Sequence, residues 1–532
     1  MSRSRRFAWY VVTQWFAALV NAGVAIALVP LLQRQLGDSG YGLSVLLLTI
    51  TNISLIAELG VSVALGRHMA EQVALGRNDE MNRLHSCAVA TFLTISLAVV
   101  MGLGIFADPI VRYCGVPAPL LPQAASLVRF FSAPMLALAM TTPAWSSVIF
   151  AHSRFDLTDL AQVTDVMMRA IGVVVLLNFT NLGLVGWCLA VLAAKMTGTT
   201  LTIALSHRCQ PGLKARPSLV DRRTLVDLFS LGGMVSLRQM ALRVSQSVEP
   251  LLVSAFLGPA AVSFYDPAQK LFNAPWPFVT GVARQFTPLV TGSHAAGDDA
   301  GVREILFRGT RLTFGIGVLA VVMMVAFAHP AVFVWLGPGR ETTSWILMVG
   351  GCGQLMYYAL GSQWGVMLGK NQVRFFTVVQ ISAAAVNVGA ALLLVWLASH
   401  RTWPSETDRL LACSLAVVFP GVVIRAVERF ITSRHAAHAC GTSFRRYFMQ
   451  SYARPVVTML VLAAVAWGID AAMKIDSWPR LIAAALVVSG IWALLCWSFI
   501  FDDVDRQRAR SVFGRRRRAA PVEDATSGTR VP

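Results

Sequence analysis

Arg238, Gln239, Arg243 and Gln246 stand in one apolar stretch, and Gln239, Arg243 and Gln246 recur at i, i+4 and i+7. On a helix that spacing sets them along one face. A guanidinium is a planar fork of donors that matches carboxylate or phosphate oxygens, so such a face can grip an anion. Asp266 and Lys270, also i, i+4, follow the short turn at Leu257 and Gly258 and can converge on the same place. A plainer chemistry competes: Asp266 neutralises Lys270, and Glu249 neutralises Arg238 about three turns away. For Asp165 and Arg169, mutual pairing is the stronger reading. Lys195 has no local partner and ranks second as a binding residue. Arg284 is at best a mouth residue. Glu58 and Asp266 are the candidate carboxylates for ion coupling, and Glu58 is equally suited to pair with a base on another helix.

These charges carry information because of what surrounds them. Of 532 residues, 56% are hydrophobic and 14% charged, with a mean hydropathy of +0.62. A soluble domain holds about 25% charged residues. The composition excludes an ordinary soluble enzyme, a disordered chain and a disulfide scaffold, and fits an all-α polytopic membrane protein. A charge inside the hydrocarbon costs at least about 3 kcal/mol unless it faces a partner or a wet cavity.

A helix needs about 20 apolar residues to cross a bilayer. About fourteen such segments are expected, at 8–32, 41–66, 86–106, 123–150, 157–177, 183–205, 226–257, 259–290, 304–328, 342–369, 375–397, 407–432, 452–474 and 479–501. The first is read as an uncleaved helix. With the N-terminus inside, the even-numbered connections and both termini hold most of the 45 Lys and Arg, which predicts that both termini are cytoplasmic. Residues 515–518, all Arg, read as a stop-transfer signal and a contact for anionic membrane lipids rather than for nucleic acid. Arg129, Arg425 and Arg429 lie near span ends, where they can snorkel, and most Trp and Tyr read as interface anchors.

Two matches recur 221 positions apart: Leu36 and Gly37 with Leu257 and Gly258, and Ala74 and Gly76 with Ala295 and Gly297. An offset of six helices keeps orientation, so the expected repeats are parallel, about a pseudo-two-fold axis along the membrane normal. The expected division is a six-helix bundle at 1–205, a cytoplasmic linker at 206–225, a second six-helix bundle at 226–432, two additional helices at 433–501 and a basic tail at 502–532. Pro275 and Pro277, in the run Asn273, Ala274, Pro275, Trp276, Pro277, mark a candidate hinge, with a static bend as the equal alternative.

Leu36-Gly37-x-x-Gly40-Tyr41-Gly42, Glu58-Leu59-Gly60 and Arg67-x-x-Ala70-Glu71 resemble the N-terminal half of polysaccharide-biosynthesis exporters. Leu257-Gly258-x-x-Ala261-Val262-x-x-Tyr265-x-x-Ala268-x-Lys270-Leu271 resembles their helix 7–8 junction. The group is the multidrug/oligosaccharidyl-lipid/polysaccharide exporter superfamily, and the O-antigen (Wzx-type) flippases are the branch most alike. The resemblance implies a bacterial inner-membrane flippase. Its cargo would be an undecaprenyl-pyrophosphate-linked oligosaccharide, and a polysaccharide polymerase and glycosyltransferases would be its partners. In that setting Arg238, Arg243, Lys270, Gln239, Gln246, Lys195 and Arg284 become the residues expected to hold the pyrophosphate.

Neighbouring functions fit less well. Ion-coupled multidrug exporters of the superfamily generally carry an acidic residue in helix 1, and lipid II flippases carry arginines there; residues 7–32 hold no Asp, Glu or Arg. A membrane glycosyltransferase needs large outside loops, and the longest expected here, 107–122, leaves little room for one. No phosphate-binding glycine motif or Cys-x-x-Cys spacing is present, so neither an enzyme nor a cofactor is expected.

Overall fold

The computed structural model describes the backbone of residues 3–58, 61–222, 224–226, 233–283, 286–502 and 506. The basic run 515–518 lies outside the described residues. No strand occurs among those described, as expected of long apolar segments that must satisfy their own backbone groups in lipid.

The helices are α1 (Arg3–Ser54), α2 (Val61–Leu75), α3 (Asn78–Tyr113), α4 (Ala118–Ala151), α5 (Phe155–Phe179), α6 (Gly183–Cys209), α7 (Gly233–Leu257), α8 (Pro259–Asn273), α9 (Trp276–Ala283), α10 (Phe286–Ala295), α11 (Asp299–Ala326), α12 (Ala328–Leu336), α13 (Glu341–Tyr358), α14 (Leu360–Gly369), α15 (Arg374–Ser399), α16 (Glu406–Ala439), α17 (Phe444–Met473) and α18 (Trp478–Ile500). Ten helices among the described residues are long and apolar enough to cross a membrane. The expected span 8–32 and the first part of 41–66 run together as α1, which breaks at Gly37, and the end of the second span falls in α2. The spans 226–257, 259–290 and 342–369 are not among the ten. The first lies partly outside the described residues, and the other two are divided into shorter helices.

The repeat has a conformational basis. Gly37 has φ 67° and ψ 174°, and Gly258 has φ 85° and ψ 167°. Gly76 and Gly297, the other pair at that offset, have φ 68° and 70°. This is backbone that only glycine adopts without strain, so the matching glycines are matching corners between helices.

The hydrogen bonds that join distant helix ends sort into two sides. At one, the Gln33 amide donates to the Ser263 carbonyl (2.9 Å), Trp335 to the Ile26 carbonyl (2.8 Å), and Ser254 to the Cys114 carbonyl. At the other, the N-terminal side, Gln210 donates to Asn78 (2.9 Å), Arg303 to the Cys440 carbonyl (3.2 Å) and Lys370 to the Ala439 carbonyl (2.7 Å). This is the alternation that the expected spans require.

Packing separates two halves. α5 and α6 pack on each other and on α1, while α7, α13, α15 and α16 pack together in the other half. α17 and α18 pair with each other and lie against α11. Away from the N-terminal side the halves share one apolar core, in which Val29, Tyr41 and Val111 meet Val253, Val262 and Trp335. Nearer that side each half has its own core, around Leu65 and Phe92 in one and around Phe314 and Tyr358 in the other. The perimeter exposes large apolar side chains such as Ile105, Leu393, Leu460 and Leu486. Lipid is the solvent that tolerates such a surface.

Candidate functional site

A cavity of about 960 Å³ lies between the halves. From α1 it is lined by Gln14, Ala17, Ala18, Asn21, Ala22 and further residues as far as Leu32, and past the break at Gly37 by Tyr41, Ser44, Val45 and Leu48. From Gln14 to Leu32 the helix rises about 1.5 Å per residue, which gives a wall about 27 Å long. The alanines keep that wall thin, so α1 can pass close without filling the space.

Gln239, Arg243 and Gln246 line this cavity from α7, as their spacing predicts, and Arg238 lines it with them. Arg238 is buried. Its Nε donates to Oε1 of Gln380 on α15, and its guanidinium lies 3.8 Å from the ring centre of Trp364 on α14. A stacked cation of this kind is held in place without being neutralised. Arg243 is exposed to the cavity, and its side chain has no hydrogen bond or ion pair among the described residues. Gln269 of α8 donates to the Gln246 carbonyl (3.3 Å).

Lys270 also lines the cavity, but it is spoken for. Its ammonium pairs with Asp266 and donates to the Tyr41 hydroxyl (2.8 Å), and that hydroxyl donates to Asp266. The local pairing is the arrangement present, with Tyr41 added from the other half. Asp266 is thereby a counter-ion between the halves.

The two other expected pairings differ. Glu249 does not meet Arg238. It accepts from the Tyr265 hydroxyl (2.7 Å) and lies 3.8 Å from Arg425 of α16, because the last turns of α7 face α8 and α16. Arg425 therefore points inward instead of snorkelling. Arg429 is buried too, 3.6 Å from Glu428 and donating to Gln363 (3.2 Å). Asp165 and Arg169 form no ion pair. A Cβ placed on Gly198 of α6 would come 2.9 Å from the Asp165 Cβ, so Asp165 faces α6 while Arg169 lines the cavity.

Lys195 is half-buried on α6 and is not among the cavity's lining residues. Arg284 lies outside the described residues, and so does the side chain of Glu58, which ends a short helical turn at Leu55–Glu58. Pro275 falls in the gap between α8 and α9, and Pro277 in the first turn of α9. The chain is broken where the prolines predict a break.

Sequence reasoning overlooked Gln14, Asn21 and Trp364, and it ranked substrate contact by Arg169 below pairing with Asp165. Asp159, Gln162 and Arg169 share a face of α5, a polar stripe that was readable. Trp364 was not, since an aromatic residue in an apolar helix reads first as an interface anchor. Here Trp276, Trp364 and Tyr357 line the cavity, and Trp276 and Tyr357 pack at 4.2 Å.

The family model described as polysaccharide biosynthesis protein matches residues 11–287. The chain belongs to this family. EpsK of Bacillus subtilis (strain 168), an uncharacterized membrane protein, is 22% identical over 491 residues, which cover 92% of this chain and 95% of EpsK. Among solved structures, the inward closed conformation of the lipid II flippase MurJ superposes with a TM-score of 0.65. It is 13% identical over 92% of this chain and 98% of its own. The inward-facing conformation of a multidrug-resistance MATE family transporter of the MOP superfamily also gives 0.65, at 14% identity, covering 81% of this chain and 98% of its own. These likenesses show that the chain has the polytopic helical fold of those proteins.

Proposed function

We propose that this protein flips an undecaprenyl-pyrophosphate-linked oligosaccharide across the bacterial inner membrane by alternating access. The division into bundles at 1–205 and 226–432, with added helices at 433–501, is part of the reading. One observation carries it: cations from both halves, Arg169 from one and Arg238 and Arg243 from the other, line a single cavity. A pyrophosphate needs several fixed donors, and guanidinium forks supply them. The arginines do not carry equal roles. Arg238, stacked on Trp364 and oriented by Gln380, is a fixed point. Among the described residues, Arg243 and Arg169 have no side-chain partner that a phosphate must displace.

The cavity lies on the N-terminal side of the shared core. With cytoplasmic termini it would receive the head group from the cytoplasm while the lipid tail stays in the membrane. Release then requires the shared core to part. The break between α8 and α9 is where the wall can bend, and Asp266, held between Lys270 and Tyr41, joins the halves at the seal.

The test is flipping of a lipid-linked oligosaccharide in vesicles by folded, correctly inserted protein. Arg238→Ala with Arg243→Ala is expected to reduce the rate at least about tenfold, since a hydrogen bond to a charged group contributes about 1.5–3 kcal/mol. An unchanged rate would place the head group elsewhere.

A further inference from the structure

A second hollow, of about 500 Å³, lies on the N-terminal side, apart from the central cavity. It is bounded by the first turns of α11, the first turns of α17 and Asp502, just past α18. Arginines dominate its wall, with Arg303, Arg308 and Arg311 on α11 and Arg446 and Arg454 on α17. Arg308 and Arg311, at i, i+3, share a face of α11, and Arg303 lines the hollow beside them.

The hollow already holds an anionic oxygen group. The Asp502 carboxylate pairs with Arg311 and, at 3.2 Å, with Arg454. Other donors remain for a second anion. Arg303 lines the hollow and is held by its Nε bond to the Cys440 carbonyl (3.2 Å), a bond that does not use its terminal nitrogens. Arg446 is exposed, and its side chain makes no hydrogen bond or ion pair among the described residues.

Apolar surface adjoins these donors. On α17, Met449, Val457, Leu460 and Val461 are exposed in succession from the hollow toward the middle of the helix. A small soluble anion gains nothing from such a strip, whereas an amphiphile covers it with its chains. Basic side chains at a bilayer surface attract anionic lipid, and arginine forks suit phosphate oxygens.

We propose that this hollow binds the phosphate head group of an anionic lipid from the leaflet on the N-terminal side, with an acyl chain lying along α17. Arg303 and Arg446 grip the phosphate, while Asp502 pairs with Arg311 and Arg454; even with the Glu304 carboxylate in the wall, the lining keeps a net positive charge. The site sits behind the C-terminal half, so its occupant is a resident lipid rather than cargo. It is also distinct from the contact expected of the basic tail.

The probe is phosphatidylglycerol. The full chain is reconstituted in phosphatidylethanolamine nanodiscs with and without phosphatidylglycerol, and retained lipid is measured by native mass spectrometry. Wild type is expected to retain phosphatidylglycerol preferentially. Arg303→Gln with Arg446→Gln should lower that preference about tenfold, and Arg446→Gln alone about threefold, because each removes a charged donor. Equal preference in wild type and in the single variant would overturn the proposal, and that exposed position decides the matter even if the double variant misfolds. Displacement of the lipid by millimolar inorganic phosphate would also overturn it, since the site would then belong to a soluble anion.

Discussion

Arg243 and Lys270 line the same cavity but differ in what already satisfies them. Lys270 has a carboxylate and a phenol within reach, so an incoming phosphate must compete for it. Arg243 has neither among the described residues, so its donors are open to an anion. Arg243→Ala is therefore expected to slow flipping about tenfold or more, and Arg243→Lys less, because lysine keeps the charge and loses the fork. Vesicle flipping rates for the two variants, normalised to inserted protein, check this order. Arg169→Ala should fall in the same range as Arg243→Ala, since it supplies the facing half. Lys195→Ala should leave flipping unchanged, because that residue does not reach the cavity. These distinctions were only partly legible in the sequence. The stripe from Gln239 to Gln246 was readable because helical periodicity fixes a face. Which charges pair was not readable, since it depends on what another helix brings: Tyr41 beside Asp266, Arg425 beside Glu249, Gly198 against Asp165.

Among the elements, α1 and α8 make the closest approach between the halves. A Cβ placed on Gly42 would come 1.7 Å from the Pro259 carbonyl oxygen, so a side chain there must push two backbones apart. Gly42→Ala is expected to cost about 1–3 kcal/mol as an overpacked site and to lower the thermal unfolding midpoint. Gly23→Ala on the same helix meets nothing within 4 Å and should be neutral or slightly stabilising. Thermal unfolding of the two variants in detergent compares them directly. The break at Ala274 and Pro275 gives a second expectation. Pro275→Ala restores a backbone donor and favours one continuous helix, so a hinge at this point predicts slower transport with unchanged binding. Helix identity was the most legible layer, because apolar length and proline and glycine breaks act locally. The subdivision of 342–369 into α13 and α14 was not legible, as no proline or charge marks it.

At the scale of the whole molecule, one shared core at one side and two separate cores at the other make a cavity that opens toward the N-terminal side. Cysteines placed at Gln239 and Gln246 are expected to react with a membrane-impermeant reagent from that side only, in a background lacking the exposed Cys352. A cysteine at Gly212 should mark the same side as cytoplasmic; labelling from outside would invert the topology. If negative charge moves outward from an inside-negative compartment, the membrane potential assists by about 2.3 kcal/mol per charge per 100 mV. Collapsing the potential should then slow net flipping. The charge pattern and the repeated glycines made this architecture readable, whereas the position of the seal rests on contacts 200 residues or more apart, such as Gln33 with Ser263 and Trp335 with Ile26. The central claim is that the cavity arginines hold a pyrophosphate, and binding tests it most directly. Purified protein is offered a pyrophosphate-linked oligosaccharide lipid and the same glycolipid with an uncharged link. Wild type should prefer the charged form, and Arg169→Ala, Arg238→Ala, Arg243→Ala together should abolish the preference; an unchanged preference in that variant would contradict the account.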